Sequence, residues 1–293
     1  MGKLVTLVTI TYGSYLYFIP ILALIAGYFP LLILCKRKGG KFTYTFVLSM
    51  YWANFALHFL KQFLPGYIEK LPAGLYTSTA LNWCALFIVA APFLLISKKK
   101  VFLDYLFYMG VISSLLAYFF PTNPMIEDLA TAKGIAETSR YYLCHAPLLY
   151  GGCLLLASGY HKLDYHRYFW APFLIWCALG ISYLNCILFN IPFHNYDWSE
   201  ALNRDNNWVN GSFALGPGTS FDKVLGGVYP YLINYVQIYY VGDTLYFTPV
   251  LWLLPFIMAI GVIVFPFLCL PFEYSHIKED RLKKKALLEG KGD

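Results

Sequence analysis

The sequence predicts an all-α fold, a polytopic membrane helical bundle of seven transmembrane helices with the N-terminus outside and the C-terminus inside. Of the 293 residues, 59% are hydrophobic and only 13% are charged, whereas a soluble domain has about 25% charged residues. Several apolar runs are long enough to cross about 30 Å of hydrocarbon. Basic residues alternate between successive connections, which sets the orientation of a membrane protein.

Each apolar run can satisfy its own backbone hydrogen bonds as a helix, which a bilayer requires. The seven predicted spans are Tyr12–Cys35, Thr43–Tyr67, Thr77–Ser97, Phe102–Pro121, Ser139–Tyr160, Tyr168–Ile191 and Phe247–Pro271. We therefore expect a seven-helix transmembrane domain over residues 1–272 and a basic cytoplasmic tail over residues 273–293.

The orientation follows from lysine and arginine. Fifteen of the 22 basic residues follow the first, third and fifth spans or lie in the tail, and the opposite side holds the other seven with nine acids. Because basic residues accumulate on the cytoplasmic side, this pattern predicts a multi-pass protein of the cell membrane, most simply a bacterial plasma membrane. No stretch of basic residues is arranged to follow the phosphate backbone of a nucleic acid. Membrane phospholipids are therefore the expected partners, and nucleic acid is not.

One connection, the outer loop over residues 192–246, is much longer than the others. A loop of this length usually has structure or function of its own. Its second half, Val224–Tyr240, is apolar and rich in tyrosine, which predicts an interfacial or re-entrant helix. Its first half contains the glycosylation triplet Asn210-Gly211-Ser212 on the predicted outer side.

Polar side chains inside spans are costly and often mark functional sites. At 1.5 Å per residue, we expect Cys84 about 10 Å, His145 about 9 Å, His58 about 13 Å and Asn185 about 9 Å below the outer surface. Together with Asn82, these residues form a predicted polar layer in the outer leaflet. Asp104, near the inner end of the fourth span, is instead expected to cap a helix or to lie at an interface.

The layer contains the groups needed for acyl transfer. A buried thiol becomes a nucleophile when an imidazole takes its proton, which assigns these catalytic roles to Cys84 and His145. Asn82 or a backbone amide would stabilise an oxyanion, and His58 and Asn185 would support the site or bind substrate. Each residue also has a structural interpretation, as a small buried thiol or an interhelical hydrogen-bonding group. No metal-ligand spacing or cofactor motif occurs, so neither a metal nor a cofactor is predicted.

Three short patches carry a resemblance to a known family. They are Leu81-Asn82-Trp83-Cys84, Tyr141-Tyr142-Leu143-Cys144-His145 and Leu225-Gly226-Gly227-Val228-Tyr229-Pro230-Tyr231. In these patches the chain resembles the YwaF-like bacterial integral membrane proteins, which are distantly similar to a eukaryotic transmembrane acyltransferase that forms plasmalogen phosphatidylethanolamine. The resemblance implies that Cys84 and His145 match the family's cysteine and histidine. The chain departs from the family at Asn82, where bacterial relatives often carry histidine, and this leaves His145 or His58 as the base.

The expected function is therefore a thiol-dependent membrane lipid acyltransferase, specifically for phospholipids, or a lipid hydrolase. One alternative is a transporter or binding protein for a small neutral or lipid-like solute. No acid lies mid-membrane with a partner, which argues against ion coupling but not against a facilitator. A second alternative is a non-enzymatic membrane scaffold that places Lys283–Lys285 on anionic lipid.

Overall fold

The computed structural model describes residues 9–71, 73–119, 126–206, 209–219, 222, 226–233, 238–241 and 244–289. Most of these residues are helical, which confirms the all-α class, and each predicted span contains a helix. The α-helices are α1 (Tyr15–Lys38), α2 (Gly40–Leu60), α3 (Trp83–Ser97), α4 (Lys100–Phe119), α5 (Ala132–Ala157), α6 (Trp170–Asn185), α7 (Ile191–His194), α8 (Trp198–Ala201), α9 (Tyr229–Ile233) and α10 (Leu254–Glu289).

Among the described residues, four helices are long and apolar enough to cross a membrane. They are Tyr15–Lys38, Lys100–Phe119, Trp170–His194 and Leu251–Lys285. The apolar helix α3 is shorter, and α2 and α5 are long but carry more polar side chains. The four apolar helices give the chain the character of a membrane protein. The count of seven spans stays a prediction.

Helix α4 lies in the core of the bundle, packed against α3, α5 and α6. Glycines allow α4 and α5 to approach closely: a Cβ atom at Gly110 would lie 2.2 Å from the Leu148 carbonyl oxygen. A Cβ atom at Gly152 would lie 2.5 Å from Phe107 Cα. Small residues at such contacts are typical of helix packing in membranes. By contrast, α1 and α10 expose many large apolar side chains.

The connections gather at two ends, which we call the outer end, where α1, α3 and α5 begin, and the inner end, where they finish. At the outer end, strand β1 (Thr9–Thr11) pairs antiparallel with strand β2 (Ile126–Asp128), and this joins the start of α1 to the α4–α5 connection. At the inner end, the Tyr165 hydroxyl donates to Asp280 Oδ2 (2.7 Å) and joins the α5–α6 connection to α10. These contacts tie the connections together at each end of the bundle.

Helices α3 and α5 begin six and seven residues from their predicted starts, because polar caps rather than apolar content set these positions. Helix α3 begins at Trp83 instead of Thr77, and the Asn82 side chain caps it by accepting from the Ala85 N–H (2.9 Å). Helix α5 begins seven residues before Ser139, where Thr131 Oγ1 accepts from the third N–H of the helix (2.9 Å). A single capping hydrogen bond can set the residue at which a helix begins, and the hydropathy of the segment does not reveal that residue.

The structure of the outer loop differs from the predicted interfacial or re-entrant helix over Val224–Tyr240. In its described part α9 has only five residues, and strand β3 (Ile238–Val241) pairs antiparallel with strand β4 (Thr244–Phe247). Aromatic and β-branched side chains favour a strand, and the facing rings of Tyr239 and Tyr246 stack at 5.8 Å. Residues 224, 225 and 234–237 of that segment, and the predicted end of the fourth span at residue 121, lie outside the described residues.

The last helix differs from its predicted span at both ends. It begins at Leu254 rather than Phe247, because residues 244–247 form β4 and residues 251–253 form a 3₁₀ turn. It continues through Pro271 to Glu289, so the predicted tail begins inside a helix. Residues 290–293 lie outside the described part.

The glycosylation triplet has a structural use in the folded loop. Asn210 is 4% exposed, and its Nδ2 donates to the carbonyl oxygens of Arg204 (2.7 Å) and Gly216 (2.8 Å). Its Oδ1 accepts from the Leu215 N–H (2.8 Å). Because this amide is buried and its donors and acceptor are used, it stabilises the loop and is inaccessible for glycan attachment.

Candidate functional site at the outer end

The segment 73–82, between α2 and α3, joins two of the predicted site residues. His58 Nε2–H donates to the Ser78 carbonyl oxygen (3.0 Å), and the Ser78 hydroxyl donates back to the His58 carbonyl oxygen (3.2 Å). Asn185 Nδ2 donates to Thr79 Oγ1 (2.9 Å). His58 of α2 and Asn185 of α6 therefore meet the same segment, which supports a shared polar layer at the outer end.

Cys84 is the second residue of α3 and lies in its first turn, two residues after the cap Asn82. It is partly buried and close enough to Cys144 and Tyr105 to interact with them electrostatically. The first N–H groups of a helix have no intrahelical acceptor, and the helix dipole is positive at this end. These N–H groups can therefore donate hydrogen bonds to an anionic group that lies beside the first turn.

His145 lies on α5, and backbone and aromatic groups surround it. Its Nδ1–H donates to the Tyr141 carbonyl oxygen (2.7 Å), which leaves Nε2 as the nitrogen that can accept a proton. Its ring contacts the rings of Tyr141 (centroids 5.1 Å apart) and Tyr118 (5.9 Å). The Ser114 hydroxyl donates to the His145 carbonyl oxygen (3.0 Å) and ties this turn to α4.

A tyrosine cluster lies on this side of α5 and was not predicted from the sequence. The Tyr17 hydroxyl donates to the Tyr118 carbonyl oxygen (2.8 Å), and the Tyr118 hydroxyl donates to the Tyr142 carbonyl oxygen (3.2 Å). The Tyr142 hydroxyl closes the ring by donating to the Tyr17 carbonyl oxygen (2.7 Å). These bonds join α1, α4 and α5 across sequence separations that local patterns do not reveal.

Cys84 of α3 and His145 of α5 have different neighbours. The neighbour of Cys84 is Cys144, and the next residue of an α-helix points about 100° further round its axis. Among the hydrogen bonds and ring contacts of the described residues, none joins Cys84 to His145. The structure therefore gives Cys84 and His145 different surroundings.

The outer end also holds buried charges that the sequence reading did not single out. Lys61 is 6% exposed, and its ammonium donates to the Thr77 carbonyl oxygen (2.5 Å). Arg140 pairs with Glu137 (Nη2–Oε2 2.8 Å), and both Lys61 and Arg140 lie over the Tyr67 ring. In the described part of the chain, no carboxylate pairs with Lys61. The sequence signal that could have identified these charges is a basic residue inside an apolar run: Lys61 in the second predicted span and Arg140 in the fifth.

The inner end has a different polar cluster, built around Asp104 of α4. Asp104 Oδ1 accepts from His161 Nε2 (2.7 Å), and Oδ2 accepts from Arg167 Nε (2.8 Å). Asp104 and His161 are 3% and 6% exposed. The cluster fixes the α5–α6 connection onto α4, an interface role. A cleft of about 350 Å³ lies beside it and is lined by charges of both signs, including Glu273 and Asp280.

Within the described ranges, no group of three or more His, Cys, Asp and Glu residues is placed to hold a metal ion. Compared with protein-family models, curated proteins and solved structures, the chain matches none of them.

Proposed function

We propose that the chain is an integral membrane lipid acyltransferase or lipid hydrolase, with Cys84 as its nucleophile. The observation that carries this proposal is the position of Cys84 in the first turn of α3. A helix N-terminus stabilises a thiolate, and the first backbone N–H groups point towards charge that develops beside it. The resemblance to the YwaF-like proteins supports the same assignment at Cys84 and His145.

The reaction has two steps. The Cys84 sulfur attacks the carbonyl carbon of a phospholipid ester, a C–S bond forms, and the ester C–O bond breaks. The departing lysolipid oxygen takes the proton that the thiol gave up. The hydroxyl of a second lysolipid, or water, then attacks the thioester and regenerates the thiol. The N–H groups of Trp83 and Cys84 would stabilise the oxyanion, because Asn82 Oδ1 already accepts from Ala85.

The proposed base is His145, through Nε2. Its Nδ1 is engaged by the Tyr141 carbonyl oxygen, so the neutral ring has its lone pair on the other nitrogen. The imidazole must approach the thiol when the ester binds, since the two groups are not in contact. His58 and Asn185 would act as positioning residues for the segment 73–82, through Ser78 and Thr79.

The proposal includes seven spans, with the outer end at the outer leaflet of the cell membrane. Four apolar helices support it, as do the basic residues at the connections of the inner end. The polar helices α2 and α5 would cross the bilayer as parts of the bundle, packed against each other and against α3 and α4. Membrane phospholipids would reach Cys84 from the outer leaflet.

The decisive experiment is acyl transfer by the purified full-length protein in liposomes. Labelled phosphatidylcholine and lysophosphatidylethanolamine serve as donor and acceptor. We expect Cys84→Ala to lower transfer by on the order of a thousandfold or more, and His145→Gln by about a hundredfold or more. Acidic quenching should trap an acyl group on Cys84 that mass spectrometry detects.

Cys177→Ala is the matched control, because Cys177 is also a partly buried thiol in an apolar helix. It should transfer acyl groups at the wild-type rate. Unchanged transfer in Cys84→Ala would overturn the mechanism. Unchanged transfer in His145→Gln alone would remove the assigned base and leave the nucleophile in place.

A further inference from the structure

The turn at Gly66 and Tyr67, which follows α2, collects basic side chains from two parts of the chain. Lys61 Nζ lies 5.8 Å from the centroid of the Tyr67 ring, and Arg140 Cζ lies 5.6 Å from it. Lys133 packs against the same turn, because a Cβ atom at Gly66 would lie 2.8 Å from its Cγ. Three cations therefore meet in one place at the outer end, which we call the cationic corner.

The carboxylates at the cationic corner do not balance its positive charge. Glu137 Oε2 accepts from Arg140 Nε (3.1 Å) and Nη2 (2.8 Å), and from the Tyr67 hydroxyl (3.4 Å). Glu69 Oε2 accepts from the Gly66 N–H (2.6 Å). Among the described residues, three cations thus face two carboxylates, and one positive charge is in excess.

Lys61 is the cation whose charge is least compensated. It is 6% exposed, its ammonium donates to the neutral Thr77 carbonyl oxygen (2.5 Å), and no carboxylate in the described ranges pairs with it. A buried charge without a counter-ion is costly. The field of a buried charge is weakly screened, so an anion held nearby lowers this cost without touching the ammonium.

Arg140 and Lys133 are the groups of the corner that an anion can reach. The Arg140 side chain is 28% exposed, and Glu137 engages its Nε and Nη2 while Nη1 makes no hydrogen bond within the described part. Lys133 is exposed, and its ammonium also has no partner among the residues described. Guanidinium and ammonium groups are strong hydrogen-bond donors to phosphate oxygens.

The corner lies on the outer side of the thiols. Cys144 Sγ donates to the Arg140 carbonyl oxygen (2.7 Å), and Cys144 is the neighbour of Cys84. Arg140 precedes Cys144 by four residues on α5, which begins at the outer end, so it lies about 6 Å nearer that end. In a phospholipid the phosphate lies on the water side of the ester carbonyl groups. A phosphate at the corner would therefore leave the ester on the side of Cys84.

We propose that Arg140 and Lys133 bind the phosphate group of a membrane phospholipid, with the buried charge of Lys61 behind them. A phosphodiester carries one negative charge, which matches the one positive charge in excess. The bound corner is then electrically neutral, as groups in apolar surroundings require. The role of this lipid as the acyl donor rests on the proposed function at Cys84, whereas the binding of its phosphate does not.

Lipid binding by the full-length protein in non-ionic micelles tests this site. Native mass spectrometry counts the bound lipid, with dioctanoylphosphatidylcholine as the probe. Dioctanoylglycerol has the same chains but no phosphate. We expect the phospholipid to bind at about tenfold lower mole fraction than the diacylglycerol. Inorganic phosphate should not displace the phospholipid at equal concentration, because it lacks the apolar chains.

Three variants define the site. Arg140→Gln combined with Glu137→Gln removes the guanidinium donor without changing the net charge, and should weaken phospholipid binding about tenfold. Lys133→Gln removes an exposed cation and should weaken it about threefold. Lys70→Gln is the matched control, because Lys70 is also an exposed lysine of the outer end but packs against Gly74. Its binding should stay at the wild-type level.

Equal binding of the phospholipid and the diacylglycerol to the wild-type protein would overturn the proposal. Displacement by inorganic phosphate at equal concentration would overturn it too, and would identify a free anion as the ligand. An equal loss of binding in Lys133→Gln and Lys70→Gln would show diffuse attraction instead of a site. These readouts decide the question even where the double variant does not fold.

Binding and chemistry can fail separately. The preference for the phospholipid should persist in Cys84→Ala, which lacks the proposed nucleophile. Persistent binding without acyl transfer by the wild-type protein would remove the proposed function and leave the phosphate site. Acyl transfer whose KM for the phospholipid is the same in Lys133→Gln as in wild type would remove the phosphate site and leave the nucleophile.

Discussion

The two ends of the bundle satisfy their buried polar groups in different ways. At the inner end, Asp104, His161 and Arg167 hydrogen-bond to one another, and each carboxylate oxygen of Asp104 has a donor. At the outer end, Lys61 bonds to a neutral carbonyl oxygen, and Gln62 Oε1 has no partner among the described residues. The inner cluster is closed on itself, whereas the outer layer retains bonding capacity.

This difference separates a structural cluster from a candidate site. An unsatisfied buried polar group costs about 1–3 kcal/mol, and a buried charge without a counter-ion costs more. Folding recovers that cost at the inner end through mutual pairing. At the outer end this cost is not recovered by hydrogen bonds within the described residues.

The largest effect is expected from opening the inner cluster. Asp104→Asn removes a buried carboxylate that accepts hydrogen bonds from both His161 and Arg167, whereas Arg167 keeps its contact with Asp164. We expect the free energy of unfolding to fall by about 2–3 kcal/mol, because two buried charge-assisted hydrogen bonds are weakened. Chemical unfolding of the purified protein in mixed micelles, followed by tryptophan fluorescence, measures this loss.

Asp164→Asn is the matched control, because Asp164 pairs with the same Arg167 at the same 2.8 Å but its side chain is 38% exposed. A partly exposed pair contributes less than about 1 kcal/mol. If both variants lost the same stability, burial would not distinguish the two pairs. The inner cluster would then be no stronger than a surface interaction.

A smaller effect is expected at Asn82, and it separates structure from chemistry at the outer end. Asn82→Ala removes the cap of α3 and should lower the free energy of unfolding by about 1 kcal/mol. Asn82→Asp keeps the oxygen that accepts from Ala85 and should retain wild-type stability. It should also retain acyl transfer, because the backbone N–H groups are the proposed oxyanion donors.

Loss of transfer in a stably folded Asn82→Asp variant would contradict this assignment. It would indicate that the side-chain NH₂ group, which aspartate lacks, acts on the substrate. Thermal unfolding and acyl transfer measured on the same preparation distinguish the two outcomes.

The sequence predicted the apolar helices well, because hydropathy over a long segment is a local property. It misplaced the starts of α3 and α5, since these depend on single hydrogen bonds from Asn82 and Thr131. The shared depth that the helix directions predict for Cys84 and His145 stays a prediction. Helix packing decides which side chain of α5 faces α3, and it turns Cys144 rather than His145 towards Cys84.

The sequence could not reveal which polar groups meet across the bundle. Asp104 and His161 are 57 positions apart, and neither stands in a local motif that points to the other. Asn210 appeared as a glycosylation site because a triplet is read without its surroundings, whereas its amide is buried in the loop. Chemical identity is visible in the sequence, but the satisfaction of each polar group is a property of the fold.

The smallest effect is expected from an ion pair in the outer loop, and it extends the comparison to pH. Arg204 binds Asp222 through two hydrogen bonds of 2.9 and 2.6 Å, and this holds the pKa of the Asp222 carboxyl below its ordinary value. A carboxyl with a lowered pKa stabilises the fold above its unfolded pKa, about 3.9, and this contribution is lost as pH falls through the folded value. The melting temperature of wild type should therefore converge on that of Asp222→Asn below about pH 4. A constant gap between the two melting curves from pH 7 to pH 3 would show that the ion pair does not stabilise the loop.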